Sequence, residues 1–221
     1  MKVKKVFDTS QGRVLFCSDL HYDHSNILFL NQDTRSQWSS VEEMNNYLKE
    51  YIWGELRPGD TLFDFGDTFW KVDTKDIIPT LENCKRKGAE IWKIMGNHDS
   101  YGLYYPPAST LVNYFAGIGD ILEITVRHEG KDYMLVLCHY PMVSWNHKPY
   151  GSFMIHGHCH GHTDEYNEST PDLRVDVGID GKLCHSLGKV MLDFSDILDY
   201  FTKKTGGLDF RKYVKLNSYN L

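Results

Sequence analysis

Apolar residues in this chain gather in short runs bounded by polar or turn-forming residues: Val14-Leu-Phe-Cys17, Thr61-Leu-Phe-Asp-Phe65, Ile91-Trp-Lys-Ile-Met95, Tyr133-Met-Leu-Val-Leu-Cys138 and Phe153-Met-Ile155. Runs this short and continuous predict buried strands. Between them the period lengthens. From Ser40 to Trp53, apolar residues recur at three and four positions (Val41, Met44, Tyr47, Leu48, Tyr51, Ile52), and Ser40 with Glu43 has capping-box spacing. That predicts a helix packed on a sheet. A second helix is expected over Ile77 to Lys87, with Pro79 confined to its first turn or a kink. A third is expected to start at Ser195 and reach Tyr200. Ile121 to Arg127 and Tyr133 to Cys138, joined through Gly130, read as a hairpin. Strands alternating with helices early and paired strands late predict an α/β layered fold with mixed sheets.

Length and charge narrow this little. The chain has 221 residues, 41% of them hydrophobic, enough for one sizeable core, so residues 1–221 are read as a single domain. A net charge of -6 offers no basic face for a polyanion, and long nucleic acid is not the expected partner. Met1-Lys-Val-Lys-Lys5 is basic but leads into no long apolar stretch, so no secretory leader is expected, and no segment approaches a membrane span. Five scattered cysteines without a C-x-x-C pair suggest neither a disulfide framework nor a zinc ribbon. A cytoplasmic location fits best.

The chemistry sits where the apolar runs end. They give way in turn to Asp19-Leu-His21, Gly66-Asp67, Gly96-Asn97-His98-Asp99, His139 and His156-Gly-His158-Cys-His160. Ligand sites in layered α/β folds form at the carboxyl ends of strands, so five such ends can share one cleft. Extended backbone would send Asp19 with His21, and His158 with His160, to the same side, and Cys159 to the other. Two Asp, one Asn and four His exceed what one metal needs. They suit two divalent ions with a bridging carboxylate, for which Asp67 is the natural choice. Glycines 66, 96 and 157 suit tight turns or close backbone approach.

In that order these five blocks resemble the signature of the calcineurin-like metallophosphoesterase superfamily. The stretch Asp19-Leu-His-Tyr-Asp-His-Ser-Asn-Ile27 and the segment Val175-Asp-Val-Gly-Ile-Asp180 resemble its small stand-alone bacterial and phage members. The resemblance implies a four-layer α/β/β/α sandwich of two mixed β-sheets flanked by helices. It assigns Asp19, His21 and His160 to one metal, Asn97, His139 and His158 to the other, and Asp67 to both. The ions expected are Mn, Fe, Zn or Ni, and a metal-bound hydroxide is the expected nucleophile. His98 resembles the family's non-ligand histidine, placed to protonate the leaving group, with Asp99 expected to orient it.

Around this set, His24, Asn26 and Arg35 are candidate substrate contacts. His156 and His162 are expected to support the site or face solvent, and Asp176 and Asp180 to be supporting carboxylates. Trp145, Asn146 and His147 either line the pocket or pack a loop. Phosphoprotein phosphatases of the superfamily carry arginines beside the second and third blocks. Here Asp67 leads into Thr68-Phe-Trp70, and Met95 precedes Gly96. The reading is therefore an enzyme that hydrolyses phosphodiester bonds of a small, cyclic-nucleotide-like substrate. A phosphomonoesterase or protein phosphatase of the same superfamily, and a non-catalytic metal-binding module, are the alternatives.

Overall fold

The computed structural model describes residues 1–70, 73–99 and 108–217. Its strands are β1 (Lys2–Asp8), β2 (Val14–Cys17), β3 (Thr61–Asp64), β4 (Glu90–Ile94), β5 (Gly117–Gly119), β6 (Ile121–His128), β7 (Lys131–Cys138), β8 (Phe153–His156), β9 (Arg174–Asp176) and β10 (Leu192–Asp193). They form two sheets, ordered β1-β6-β7-β8-β9 and β10-β2-β3-β4-β5. Both are mixed. In the first only β6/β7 is antiparallel, and in the second only β10/β2. The five apolar runs are the central strands β2, β3, β4, β7 and β8, and helices flank the sheets.

Period-two alternation explains the layering. Val14, Phe16, Phe63 and Ile94 face inward and meet Leu122, Ile124, Leu135, Leu137, Phe153 and Ile155 of the other sheet in one buried cluster. Leu15, Cys17, Leu62 and Ile91 face outward and pack against Met44, Leu48, Ile77 and Leu81 of α3 (Val41–Leu48) and α4 (Thr74–Lys87). The short α1 (Ile27–Leu30) and α2 (Gln32–Arg35) precede them. On the outer face of the first sheet, Val136, Cys138 and Met154 are covered by Trp145. Helix Phe194–Lys204 joins the inter-sheet core through Phe194, Ile197 and Phe201.

Several local expectations need correction. The helix over Ser40 to Trp53 is α-helical only to Leu48 and continues as a π-turn from Lys49 to Gly54. The π spacing of five places Trp53 under Leu48 and buries it, while Tyr51 stays 43% exposed, off the predicted face. Ser40 accepts from Glu43 N–H, but Glu43 bonds Ser39 rather than Ser40, so the capping box is half formed. Helix α4 starts earlier, at an Asp73 cap, which puts Pro79 inside it rather than in the first turn. The hairpin turn is Glu129-Gly130 with positive φ at both residues, the mirror-image type that matches strand twist. Edge strand β1 falls in the basic N-terminal segment that pattern alone left unassigned.

The parallel strands β2, β3 and β4 end on the same side as β7, β8 and β9. A bridge between Ser18 and Gly178 ties the two sheets together there.

Candidate metal centre

Asp19, His21, Asp67, His158 and His160 all have positive φ, between 47° and 70°. The expectation that Asp19/His21 and His158/His160 converge through extended backbone is therefore wrong in its reason. They converge because left-handed turns aim them. Non-glycine residues avoid this region at a cost of about 1–3 kcal/mol each, and it is tolerated where surrounding structure over-determines it. Here crossing backbone bonds do so: Asp19 N–H donates to Gly66 O, His21 N–H to Asp67 O, and Gly157 N–H to His139 O.

The two carboxylates are held alike. Asp19 Oδ2 accepts from His158 N–H at 2.8 Å, and its Oδ1, 3.9 Å from His160 Nε2, is buried without a partner. Asp67 Oδ1 accepts from His98 N–H at 2.8 Å, and its Oδ2 lies 3.4 Å from His139 Nε2. One oxygen of each is spent on backbone and the other points into the cleft. Glycine permits this closeness: a Cβ on Gly96 would sit 2.2 Å from Asp67 Oδ1, and one on Gly157 2.4 Å from Asp19 Oδ2.

The histidines are oriented from behind. His139 Nδ1 donates to Phe65 O at 2.7 Å, leaving Nε2 facing Asn97 Oδ1 at 3.1 Å and Asp67. His160 Nδ1 is 2.7 Å from Asp180 Oδ2, and His21 Nε2 is a further buried atom with no protein partner. Burial, then the charge of Arg35, pushes the His21 pKa down to about 3 and keeps its ring neutral. Burial works against charge on His139, but the hydrogen bond and charge of Asp67, with Asp19, outweigh it and raise its pKa. Asp67 shows the reverse balance: burial opposes its charge, yet His139 and His98 bring it to about 2.

Two groups result, Asp19/His21/His160 and Asp67/His139/His158, each with ligand atoms within 4.8 Å of one another and each able to hold a metal ion. Orphaned buried Asp19 Oδ1 and His21 Nε2 are what a cation-binding site leaves in a protein considered alone, so the residues fit the ions. The model for the calcineurin-like phosphoesterase family matches residues 12–177.

The chain belongs to that family. Calcineurin-like phosphoesterases are metal-dependent and use two divalent metals, which agrees with the two groups found here. None of the curated proteins matches the chain. Among solved structures it is similar to the protein of unknown function AQ665 from Aquifex aeolicus, with a TM-score of 0.57 and 22% identity, covering 85% of this chain and 98% of that one. That likeness concerns the fold alone.

Two sequence expectations meet a different arrangement. Arg35 is not placed as a substrate contact: it is 1% exposed, pairs with Asp180 at 2.6 Å, and donates to Asp19 O and Leu20 O. Asp99 does not orient His98. Its Oδ2 accepts from Gly96 N–H at 2.7 Å and Asp67 N–H at 3.2 Å, while Oδ1 is 3.1 Å from Lys93 Nζ. His24 lies against His21 and Trp70. Asn26 is exposed next to α1, and His98 is 34% exposed, 3.9 Å from Asp67 Oδ2.

Of the supporting residues, Asp180 backs His160, and His156 is buried, bonding Gly157 O and Asn167. His162 faces solvent. Trp145 donates to Ser152 and packs its loop against Val136, Cys138 and Met154.

Lys93 and Asp64 were missed by motif reading. Fully buried Lys93 pairs with Asp64 and Asp99 and bonds Thr68, joining the ends of β3 and β4. Burial disfavours its charge, but the two carboxylates outweigh this and raise its pKa. The signal was present: a Lys and an Asp inside otherwise apolar strands need a partner.

Proposed function

We propose that this chain is a dinuclear metal-dependent phosphodiesterase acting on a small nucleotide-like diester. The observation that carries this is the pair of buried carboxylates, Asp19 and Asp67, each presenting one oxygen to imidazole nitrogens in a common cleft. In this reading Asp19, His21 and His160 hold one ion, Asn97, His139 and His158 the other, and Asp67 bridges. Two divalent ions, manganese being the first choice, supply Lewis-acid activation of water and neutralise charge on the phosphoryl oxygens. His98 donates a proton to the leaving oxygen, for which its partial exposure and position beside Asp67 suit it. Residues 1–221 are read as one such domain.

Preference for a diester rests on charge. A monoester dianion calls for guanidinium partners. Arg35 is committed to Asp180 and to the backbone carbonyls of Asp19 and Leu20, which leaves its guanidinium no donor to spare for a phosphoryl oxygen. No described helix is long and apolar enough to cross a membrane. The free cysteines suit a reducing compartment such as the cytoplasm.

The test is hydrolysis of bis(p-nitrophenyl) phosphate and p-nitrophenyl phosphate, with a panel of cyclic nucleotides and dinucleotides, using Mn, Fe, Zn or Ni. Faster turnover of diesters is expected. A preference for the monoester would favour a phosphomonoesterase, and metal binding without turnover of any ester a non-catalytic module. His98→Ala should lose roughly 10²–10⁴-fold on diesters with poor leaving groups and far less on nitrophenyl esters.

A further inference from the structure

Trp70 lies between two histidines of the site. Its indole stacks on His24, with centroids 3.9 Å apart and planes 13° from parallel, and meets His98 nearly edge-on at 4.8 Å. The backbone beneath is tied down, since Trp70 N–H donates to Tyr22 O, one residue past His21. His24 places its Nδ1 3.3 Å from Nδ1 of His21, whose Nε2 is the buried atom without a protein partner.

Two ring nitrogens at that distance form a hydrogen bond only if one carries the proton and the other a lone pair. A histidine that turns its Nε2 lone pair toward a cation keeps its proton on Nδ1. His21 is then the donor and His24 the acceptor. Behind His139 and His160 the same task falls to a carbonyl and a carboxylate, Phe65 O and Asp180. An imidazole acceptor is different in kind, because it works only when its own ring is turned the right way. The stacked indole of Trp70 holds it there.

We infer that His24, clamped by Trp70, is a positioning residue that sets the tautomer and ring plane of His21 and so tunes the Asp19/His21/His160 group for its cation. The inference rests on the dinuclear reading and replaces a substrate contact with a supporting role for His24. It also makes Trp70 a shared wall of the His21 group and His98.

The experiment uses the full-length, metal-free protein. Nitrogen-15 NMR reads the His21 tautomer, and calorimetric titration with Mn²⁺ reads two binding steps. The expected result is a proton on Nδ1 of His21. His24→Phe, which keeps a ring for Trp70 but removes the acceptor, should weaken one step about 10–100-fold and spare the other. His24→Asn, whose Oδ1 can stand where Nδ1 was, should recover most of the loss. Trp70→Ala should weaken the same step and Trp70→Phe less so. The proton on Nε2 of His21, unchanged affinities in His24→Phe, or equal losses at both steps would overturn the inference. If His24→Phe does not fold, the tautomer of the unaltered protein decides alone. Two ions bound with no hydrolysis would sink the proposed function and leave this inference standing.

Discussion

Nδ1 of His160 lies 2.7 Å from Oδ2 of Asp180. The same oxygen accepts from Arg35 at 2.6 Å, so a group at the cleft is fastened to an ion pair whose side chains are completely buried. Burial opposes the charge of Asp180, but His160, Arg35 and Thr34 hold its carboxyl far below the usual range.

Asp180→Asn should therefore act twice. It removes the charge behind His160, weakening metal uptake at the Asp19 group about 10–100-fold. It also leaves Arg35 buried without a counter-charge, which costs about 3–5 kcal/mol. Calorimetry and urea unfolding in chelator measure the two effects separately. A variant as stable as the parent would remove Arg35–Asp180 from the account of how the site is anchored.

Lys93→Met tests the second buried cluster. Asp64 and Asp99 would face each other's charge without a cation, with an expected loss of about 3–5 kcal/mol. Because Asp99 also takes the N–H groups of Gly96 and Asp67, metal affinity should fall with it. Lys93→Met combined with Asp64→Asn should recover part of the stability. No recovery would mean that packing, rather than charge, explains the loss.

The strand ends, and the gathering of Asp19, His21, His160, Asp67, His139 and His158 into two groups that could hold metal ions, were legible in the sequence because apolar runs and the residues that follow them are local patterns. The aiming of those ligands was not. Left-handed backbone at Asp19, His21, Asp67, His158 and His160 arises from hydrogen bonds between segments far apart in the chain, such as Asp19 to Gly66. Arg35 and Asp99 were misread for the same reason. A polar residue near a motif looks functional until the partner that claims it, Asp180 or Lys93, is brought alongside by the fold. Strands β9 and β10, three and two residues long, carry too few positions for any period to register.

Asp176 gives a pH dependence. Burial, then the charge of Asp19, raises its pKa from 3.8 to about 8. Between those values the folded protein keeps a proton that the unfolded chain has lost, so stability falls as pH rises through that window. Unfolding free energy in chelator should show this slope, at most ~1.4 kcal/mol per pH unit. Asp176→Asn should flatten it. An identical slope in the variant would assign the effect to other groups.

In the proposed function Asp19 and Asp67 organise two metal ions for ester hydrolysis. The direct measurement is a titration of metal-free protein with Mn²⁺, following bound metal and bis(p-nitrophenyl) phosphate hydrolysis together, for the parent and for Asp67→Asn. Two ions per chain are expected, with turnover that rises on binding of the second and loss of both metal and activity in the variant. Full activity with one ion, or an Asp67→Asn protein that keeps two ions and full turnover, would contradict the proposed function.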